Sequence, residues 1–182
     1  MASLADPGLG TGACGVACFT CTGSGQPRVS TDQHSKVTDC NRSSINVGPG
    51  IYSFICKGRG GSIGSELCRQ MARYKPQRIL LLDNSEYSLY TIEQKFVRRF
   101  PDVSISSVIG DVKDRGRMNQ LLQTFRPTVV FHAAAYKHLA MLQTQVREAF
   151  RNNVLGTMRL AEAAERHSVG TFVLISTDKA VN

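Results

Sequence analysis

The sequence predicts an α/β fold, a doubly wound parallel sheet with helices on both faces, and three observations carry that prediction. From Ile51 onward short apolar runs alternate with amphipathic stretches, the pattern of a parallel sheet covered on both sides. The first run passes directly into a glycine-rich turn that opens a helix. The second ends in an acidic residue, Asp83, twenty-five positions after Gly58, the first glycine of that turn.

The first strand, Ile51 to Cys56, feeds Lys57-Gly58-Arg59-Gly60-Gly61-Ser62-Ile63-Gly64, after which Ile63, Leu67 and Met71 recur every four positions as one helix face. Gly58 permits a tight turn, Gly60 and Gly61 let the backbone approach a pyrophosphate, and Gly64 lets the helix pack closely on the strand. Ser62 and Ile63 begin the helix, whose N-terminal N–H groups and positive dipole end suit phosphates. A glycine string alone would equally fit a flexible loop; its place between strand and helix favours a dinucleotide site of Rossmann type.

The second strand, Arg78 to Leu82, delivers Asp83 to accept hydrogen bonds from an adenosine ribose, with Asn84 and Ser85 beside it as further cofactor candidates. The alternative for Asp83 is a helix cap, a role open to Asn84 and Ser85 as well. An acid here favours NAD, whereas Arg59 could pair with the 2′-phosphate of NADP, so both cofactors stay open. The third run, Val103 to Ile109, leads into Gly110-Asp111-Val112, where Asp111 and Val112 could meet the adenine ring; Asp111 could equally be an N-cap. Met118, Leu121, Leu122 and Phe125 then form a helical core stripe.

The fourth strand, Thr128 to His132, runs into Ala133-Ala134-Ala135, small residues that let a cofactor lie against the backbone where strand order reverses. His132 reads as a packed strand residue. On the long helix that follows, Val146, Phe150, Val154 and Met158 read as core, with Asn152 and Asn153 placed to turn a polar side chain toward the site. The fifth strand, Thr171 to Ile175, presents Ser176-Thr177-Asp178-Lys179, a hydroxyl, an acid and a base, at the edge where chemistry is expected. The expected strand order is 3-2-1-4-5.

Residues 1–50 are rich in Gly, Ser, Thr, Cys and Pro and show no sustained apolar period, so they are expected to be irregular or disordered. The expected division is therefore an irregular segment, 1–50, and a cofactor-binding domain, 51–182. Cys14, Cys18, Cys21 and Cys40 lack the structural context of a metal site and read as chance clustering, so no metal is expected. The net charge of +8 falls wholly after Cys56, scattered as pairs such as Arg98-Arg99 on amphipathic stretches. No basic stripe with interleaved aromatics accompanies it, which argues against nucleic acid. No apolar run reaches about 18 residues and no signal peptide opens the chain, so a cytoplasmic protein with reduced cysteines is expected.

The strings GRGGSIGSELCRQ, LLLDNSEYSLYTIEQ, IGDVKDR, RPTVVFHAAAYKHLAML, RNNVLGT and VLISTDKAVN resemble those of the CapD-like polysaccharide-biosynthesis proteins, nucleotide-sugar 4,6-dehydratases of the extended short-chain dehydrogenase/reductase superfamily. The resemblance runs from about Gly58 to Asn182. It implies oxidation of the sugar 4-hydroxyl by nicotinamide, loss of water across carbons 5 and 6, and return of hydride to carbon 6. It also implies a UDP-sugar substrate, typically UDP-N-acetylglucosamine, with Asp178 as acid, Lys179 as base, Thr177 holding the sugar, and Lys137 near cofactor and substrate.

Three departures qualify it. Lys57 stands where the family usually has Thr, the sequence is expected to stop at Asn182 before the helix that carries the superfamily's Tyr/Met-x-x-x-Lys segment, and residues 1–50 replace the upstream domains and membrane helices of longer members. The expectation is a gene fragment whose sheet stops after the fifth strand, read out of frame through its first fifty residues and inactive alone. The competing function is a non-catalytic NAD(P)-binding module, docking through its unfinished sheet edge or as a homo-oligomer. A nucleic-acid-binding role resting on charge is weaker.

Overall fold

The computed structural model describes residues 16–20, 28–32, 52–57 and 62–175. In chain order the strands are β1 (Val16–Thr20), β2 (Arg28–Asp32), β3 (Tyr52–Lys57), β4 (Arg78–Asp83), β5 (Ser104–Ile109), β6 (Val129–Ala133) and β7 (Thr171–Ile175). They form one sheet in the order β2-β1-β7-β6-β3-β4-β5. The run from β3 to β7 is parallel throughout, so the expected 3-2-1-4-5 order of a Rossmann-type sheet is present.

The addition is at the β7 edge. β1 pairs antiparallel with β7, Val16 opposite Ile175 and Thr20 opposite Thr171, and β2 pairs antiparallel with β1. Both strands lie within residues 1–50, where irregular chain was expected. Their sequences, VACFT and RVSTD, are rich in β-branched residues but too short for a period-2 pattern to stand out.

The helices are α1 (Ser62–Arg73), α2 (Glu86–Arg99), α3 (Arg115–Phe125), the short α4 (Leu139–Leu142), α5 (Val146–Phe150) and α6 (Thr157–Arg166). A π-helical turn, Arg151–Gly156, joins α5 to α6 with right-handed helical dihedrals at both junctions, so residues 146–166 form one helix with a bulge inside it. Local chemistry sets several ends. Ser85 caps α2 by accepting from the Ser88 N–H, and Asp114 caps α3 by accepting from the Arg117 N–H. Arg126 closes α3 in the left-handed conformation just before Pro127, which cannot continue a helix.

Alternation along the strands divides the core in two. Ile79, Leu81, Val129, Phe131 and Val173 face α1 and α2, packing on Leu67, Met71, Leu89, Ile92 and Phe96. Leu80, Leu82, Val130 and Phe172 face α3 and α6, packing on Met118, Leu121, Leu122, Leu160, Ala163 and Ala164. Because β4 is covered on both faces, five of its six residues are buried in a row.

The long helix departs from expectation. Val146, Phe150, Val154 and Met158, read from the sequence as core, are 66%, 52%, 47% and 50% exposed. The helix buries Asn152, Gly156, Leu160, Ala163 and Ala164 instead. Gly156 explains the choice of face, since a Cβ there would lie 2.9 Å from Val112 Cγ2, so only glycine lets the helix come this close. The π turn has a second consequence. A four-residue spacing drifts around an α-helix of 3.6 residues per turn, and the wider π turn absorbs part of that drift, which keeps the four apolar residues exposed along one stripe.

Candidate cofactor site

Register brings the candidate residues to one edge. Asp83 at the end of β4 pairs with Ile109 of β5, Cys56 pairs with Leu82, Lys57 at the end of β3 pairs with Ala133 of β6, and His132 pairs with Leu174. All five parallel strands therefore finish side by side. The chain leaves β3 toward β4 on one flank while β6 lies on the other, so Lys57 and Ala133 stand at the point where strand order reverses. β3 ends at Lys57 and α1 starts at Ser62, with Ile63 half-buried and Gly64 buried. Gly58, Gly60 and Gly61 lie outside the described residues, as do Thr177, Asp178 and Lys179; β7 ends at Ile175, two positions before Thr177.

On the β4–β5 flank, Asp83 is 1% exposed and its Oδ1 accepts from the Ser85 N–H at 2.9 Å. It does not cap α2, because Ser85 does. Asn84 is exposed and Ser85 half-buried. Gly110 joins the two strands' ends by donating its N–H to the Asp83 carbonyl at 3.1 Å, and a Cβ there would lie 2.7 Å from Leu82 Cδ1.

Asp111 is not an N-cap either, since Asp114 takes that place. One Asp111 oxygen accepts from the Lys113 N–H at 2.9 Å and the other faces Lys113 Nζ at 3.3 Å. Lys113 Nζ also lies 3.8 Å from Glu148 on α5 and 5.9 Å from the Tyr136 ring centroid. Burial opposes its charge, yet the hydrogen bond and charge of Asp111 lift its pKa above the ordinary lysine value. Arg159 of α6 donates to the Lys113 carbonyl, and Val112 is buried beneath Gly156. The loop after β5 is thus fastened to the long helix by charge, hydrogen bonding and packing together.

On the β6 flank, Ala133 is half-buried, Ala134 buried, and Lys137 exposed. Asn152 Nδ2 donates to the Ala134 carbonyl at 2.7 Å and to Asn153 Oδ1 at 3.0 Å. Asn153 accepts from the Tyr136 N–H at 2.8 Å and donates to the Tyr136 carbonyl at 2.9 Å. His132 belongs to the same seam. Thr157 Oγ1 donates to the Asn153 carbonyl at 2.7 Å, so the 2.8 Å contact from His132 Nε2 is a donation from a protonated Nε2 to that hydroxyl. Burial pushes the His132 pKa down to about 4, and the ring is neutral near pH 7. It is a packed strand residue, as expected.

Among the described residues no group of three or more His, Cys, Asp and Glu could hold a metal ion, and no helix is long and apolar enough to cross a membrane. Lys113, Glu148, Thr157 and Arg159 were not singled out in the sequence. Nothing in it pairs Lys113 with Glu148 or His132 with Thr157, because those contacts join separate elements.

A parallel doubly wound sheet with a buried carboxylate at the end of β4 and alanines at its switch point defines a Rossmann-type α/β protein. The particular family follows from comparison: the chain belongs to the polysaccharide biosynthesis protein family, whose model matches residues 54–182. It is 44% identical over 131 residues to the capsular polysaccharide biosynthesis protein CapD of Staphylococcus aureus, covering 71% of this chain and 22% of that protein. It is 27% identical over 135 residues to a UDP-N-acetylglucosamine 4,6-dehydratase (inverting) of Campylobacter jejuni, covering 71% of this chain and 37% of the relative. Among solved structures, the Bordetella bronchiseptica enzyme WbmG in complex with NAD superposes with a TM-score of 0.50 at 26% identity, over 66% of this chain and 35% of that one. The chain thus spans well under half the length of each.

Proposed function

We propose that residues 51–182 are the cofactor-binding part of an NAD(P)-dependent nucleotide-sugar 4,6-dehydratase acting on a UDP-N-acetylhexosamine in glycan biosynthesis. The observation that carries this reading is the convergence of the ends of β3, β4, β5 and β6 on one edge, in a chain 27% identical to a UDP-N-acetylglucosamine 4,6-dehydratase.

The residues fit a dinucleotide. Asp83, with Asn84 and Ser85, would serve the adenosine ribose; Asp111 and Val112 the adenine; Gly58, Gly60, Gly61, Ser62, Ile63 and Gly64 the pyrophosphate; Ala133, Ala134 and Lys137 the remaining half. When bound, nicotinamide supplies the hydride acceptor and donor. The chain's own part would be to orient the sugar through Thr177 and Lys137, take the carbon-5 proton on Lys179, and protonate the departing 6-hydroxyl from Asp178.

The chain covers 37% of the dehydratase's length, and by itself it is expected to bind cofactor without turning over sugar. A homo-oligomer docked through the exposed stripe from Val146 to Met158 belongs to the same proposal. Calorimetric titration with NAD, NADP and UDP-N-acetylglucosamine, followed by a turnover assay, tests the reading. Binding of NAD or NADP supports it, and absence of any nucleotide binding overturns it. Cofactor binding that remains without turnover even when the rest of a longer relative is supplied would leave a non-catalytic binding module.

A further inference from the structure

The outermost strands of the sheet are β2, RVSTD, and β5, SISSVI, and charged or hydroxyl residues interrupt both. β7, TFVLI, carries no charge and has four apolar residues in a row; β1, VACFT, carries no charge either. An uncharged apolar strand left at a sheet edge is a template for pairing with another chain, whereas a short charged one resists it. β1 takes the β7 edge along its whole length, and β2 becomes the outer strand, with Arg28 and Asp32 at its two ends. The hairpin thus moves the edge of the sheet from an apolar strand to a charged one.

Backbone direction defines the contact. Thr171 donates its N–H to the Thr128 carbonyl, on the β6 side, at 3.2 Å. Successive residues of a strand turn their N–H and C=O groups to opposite sides, so Val173 also faces β6 while Phe172 and Leu174 face β1. Their register partners on β1 are Phe19 and Ala17. The strands β3 to β6 and all of the described helices lie between the hairpin and β7 in sequence, and the five parallel strands pair among themselves. The hairpin can therefore leave the edge without undoing any pair of the parallel sheet.

We propose that the β1–β2 hairpin is a detachable edge guard, which keeps a second copy of this chain from pairing with β7 strand to strand. The occupant it excludes is another β7. Laid antiparallel about a two-fold axis at Val173, TFVLI meets TFVLI with no like charges opposed, and Phe172 and Leu174, whose N–H groups face outward, come opposite each other. This contact is separate from the stripe of Val146 to Met158 on the long helix, and it is independent of the cofactor.

The test is hydrogen exchange and sedimentation of the full chain, carrying Phe150→Ser and Val154→Ser so that the helix stripe contributes nothing. With the hairpin in place, the amides of Phe172 and Leu174 should exchange as slowly as that of Val173, and the chain should stay monomeric. Ala17→Pro with Phe19→Pro removes the two β1 donors that face β7. At low concentration, exchange at Phe172 and Leu174 should then quicken at least about tenfold while Val173 is unchanged. As concentration rises the chain should dimerise, and protection at those two amides should return. Phe19→Pro alone should act the same way to a smaller extent and serves if the double variant does not fold. Fast exchange at Phe172 and Leu174 with the hairpin intact overturns the inference. So does a proline variant that stays monomeric at every concentration, or one that dimerises without restoring protection.

Discussion

α3 and the long helix of residues 146–166 cover the same face of the sheet, and each carries an apolar stripe at helical spacing, yet they use those stripes oppositely. α3 turns Met118, Leu121 and Leu122 inward, at 0%, 3% and 0% exposure, and its polar residues outward. The long helix turns Val146, Phe150, Val154 and Met158 to solvent and packs with glycine, alanine, leucine and asparagine. The contrast teaches that periodicity identifies an apolar stripe without saying what covers it. Helix–sheet contact is decided by which face permits the closest approach, and on the long helix that is the face with Gly156, Ala163 and Ala164.

The largest expected effect lies on α3. Leu122→Ala should lower unfolding free energy by roughly 2–5 kcal/mol, read from denaturant midpoints, because it opens a cavity in a close-packed core. A change under about 0.5 kcal/mol, the size expected for an exposed site, would erase the contrast with the long helix.

The long helix should show its polar seam through pH. His132 is neutral when folded with a pKa near 4, against an ordinary 6.5, so the unfolded chain binds more protons below about pH 6.5. Its contribution to stability is fully present above that pH and is lost as pH falls toward about 4. A fall of roughly 2–3 kcal/mol by about pH 4.5 is expected. It should shrink in His132→Gln, measured against wild type by thermal unfolding across pH. An identical pH profile in the two proteins would remove His132 from the account.

Gly156→Ala comes next. The added carbon would sit 2.9 Å from Val112 Cγ2, an overpacking expected to cost about 1–3 kcal/mol and to disturb the loop carrying Asp111. Gly116→Ala, at an exposed position of α3 where the nearest atom would be 3.4 Å away, should be neutral or stabilising, and the pair measured together sharpens the comparison.

The smallest effect on monomer stability belongs to the stripe itself. Phe150→Ser with Val154→Ser should change unfolding free energy by less than about 0.5 kcal/mol per site. The same variant should abolish any self-association seen by sedimentation of the wild type. Unaltered association would place the oligomer contact elsewhere.

Much of this architecture is legible in the sequence. The five parallel strands match their expected runs to within a residue or so at each end; β5, only partly buried, mixes serines with its apolar residues, whereas β4, buried on both faces, reads as an uninterrupted apolar stretch. Asp83 was legible because it follows such a run at a fixed remove from the glycine turn. Capping was legible only as a set of choices: Ser85 and Asp114 took it, from among neighbours of similar chemistry. β1 and β2 were not, because five-residue strands at a sheet edge carry too little pattern.

By itself, the sequence determined the parallel sheet, its order and the family, all properties of local periodicity and short motifs. The tertiary structure decided which face of residues 146–166 packs, that Asn153 pairs with Tyr136 seventeen residues away, and that Lys113 meets Glu148. The physical reason is common to all three. Burial and hydrogen bonding between distant elements depend on how closely backbones approach, and that distance is set by every residue in the contact together.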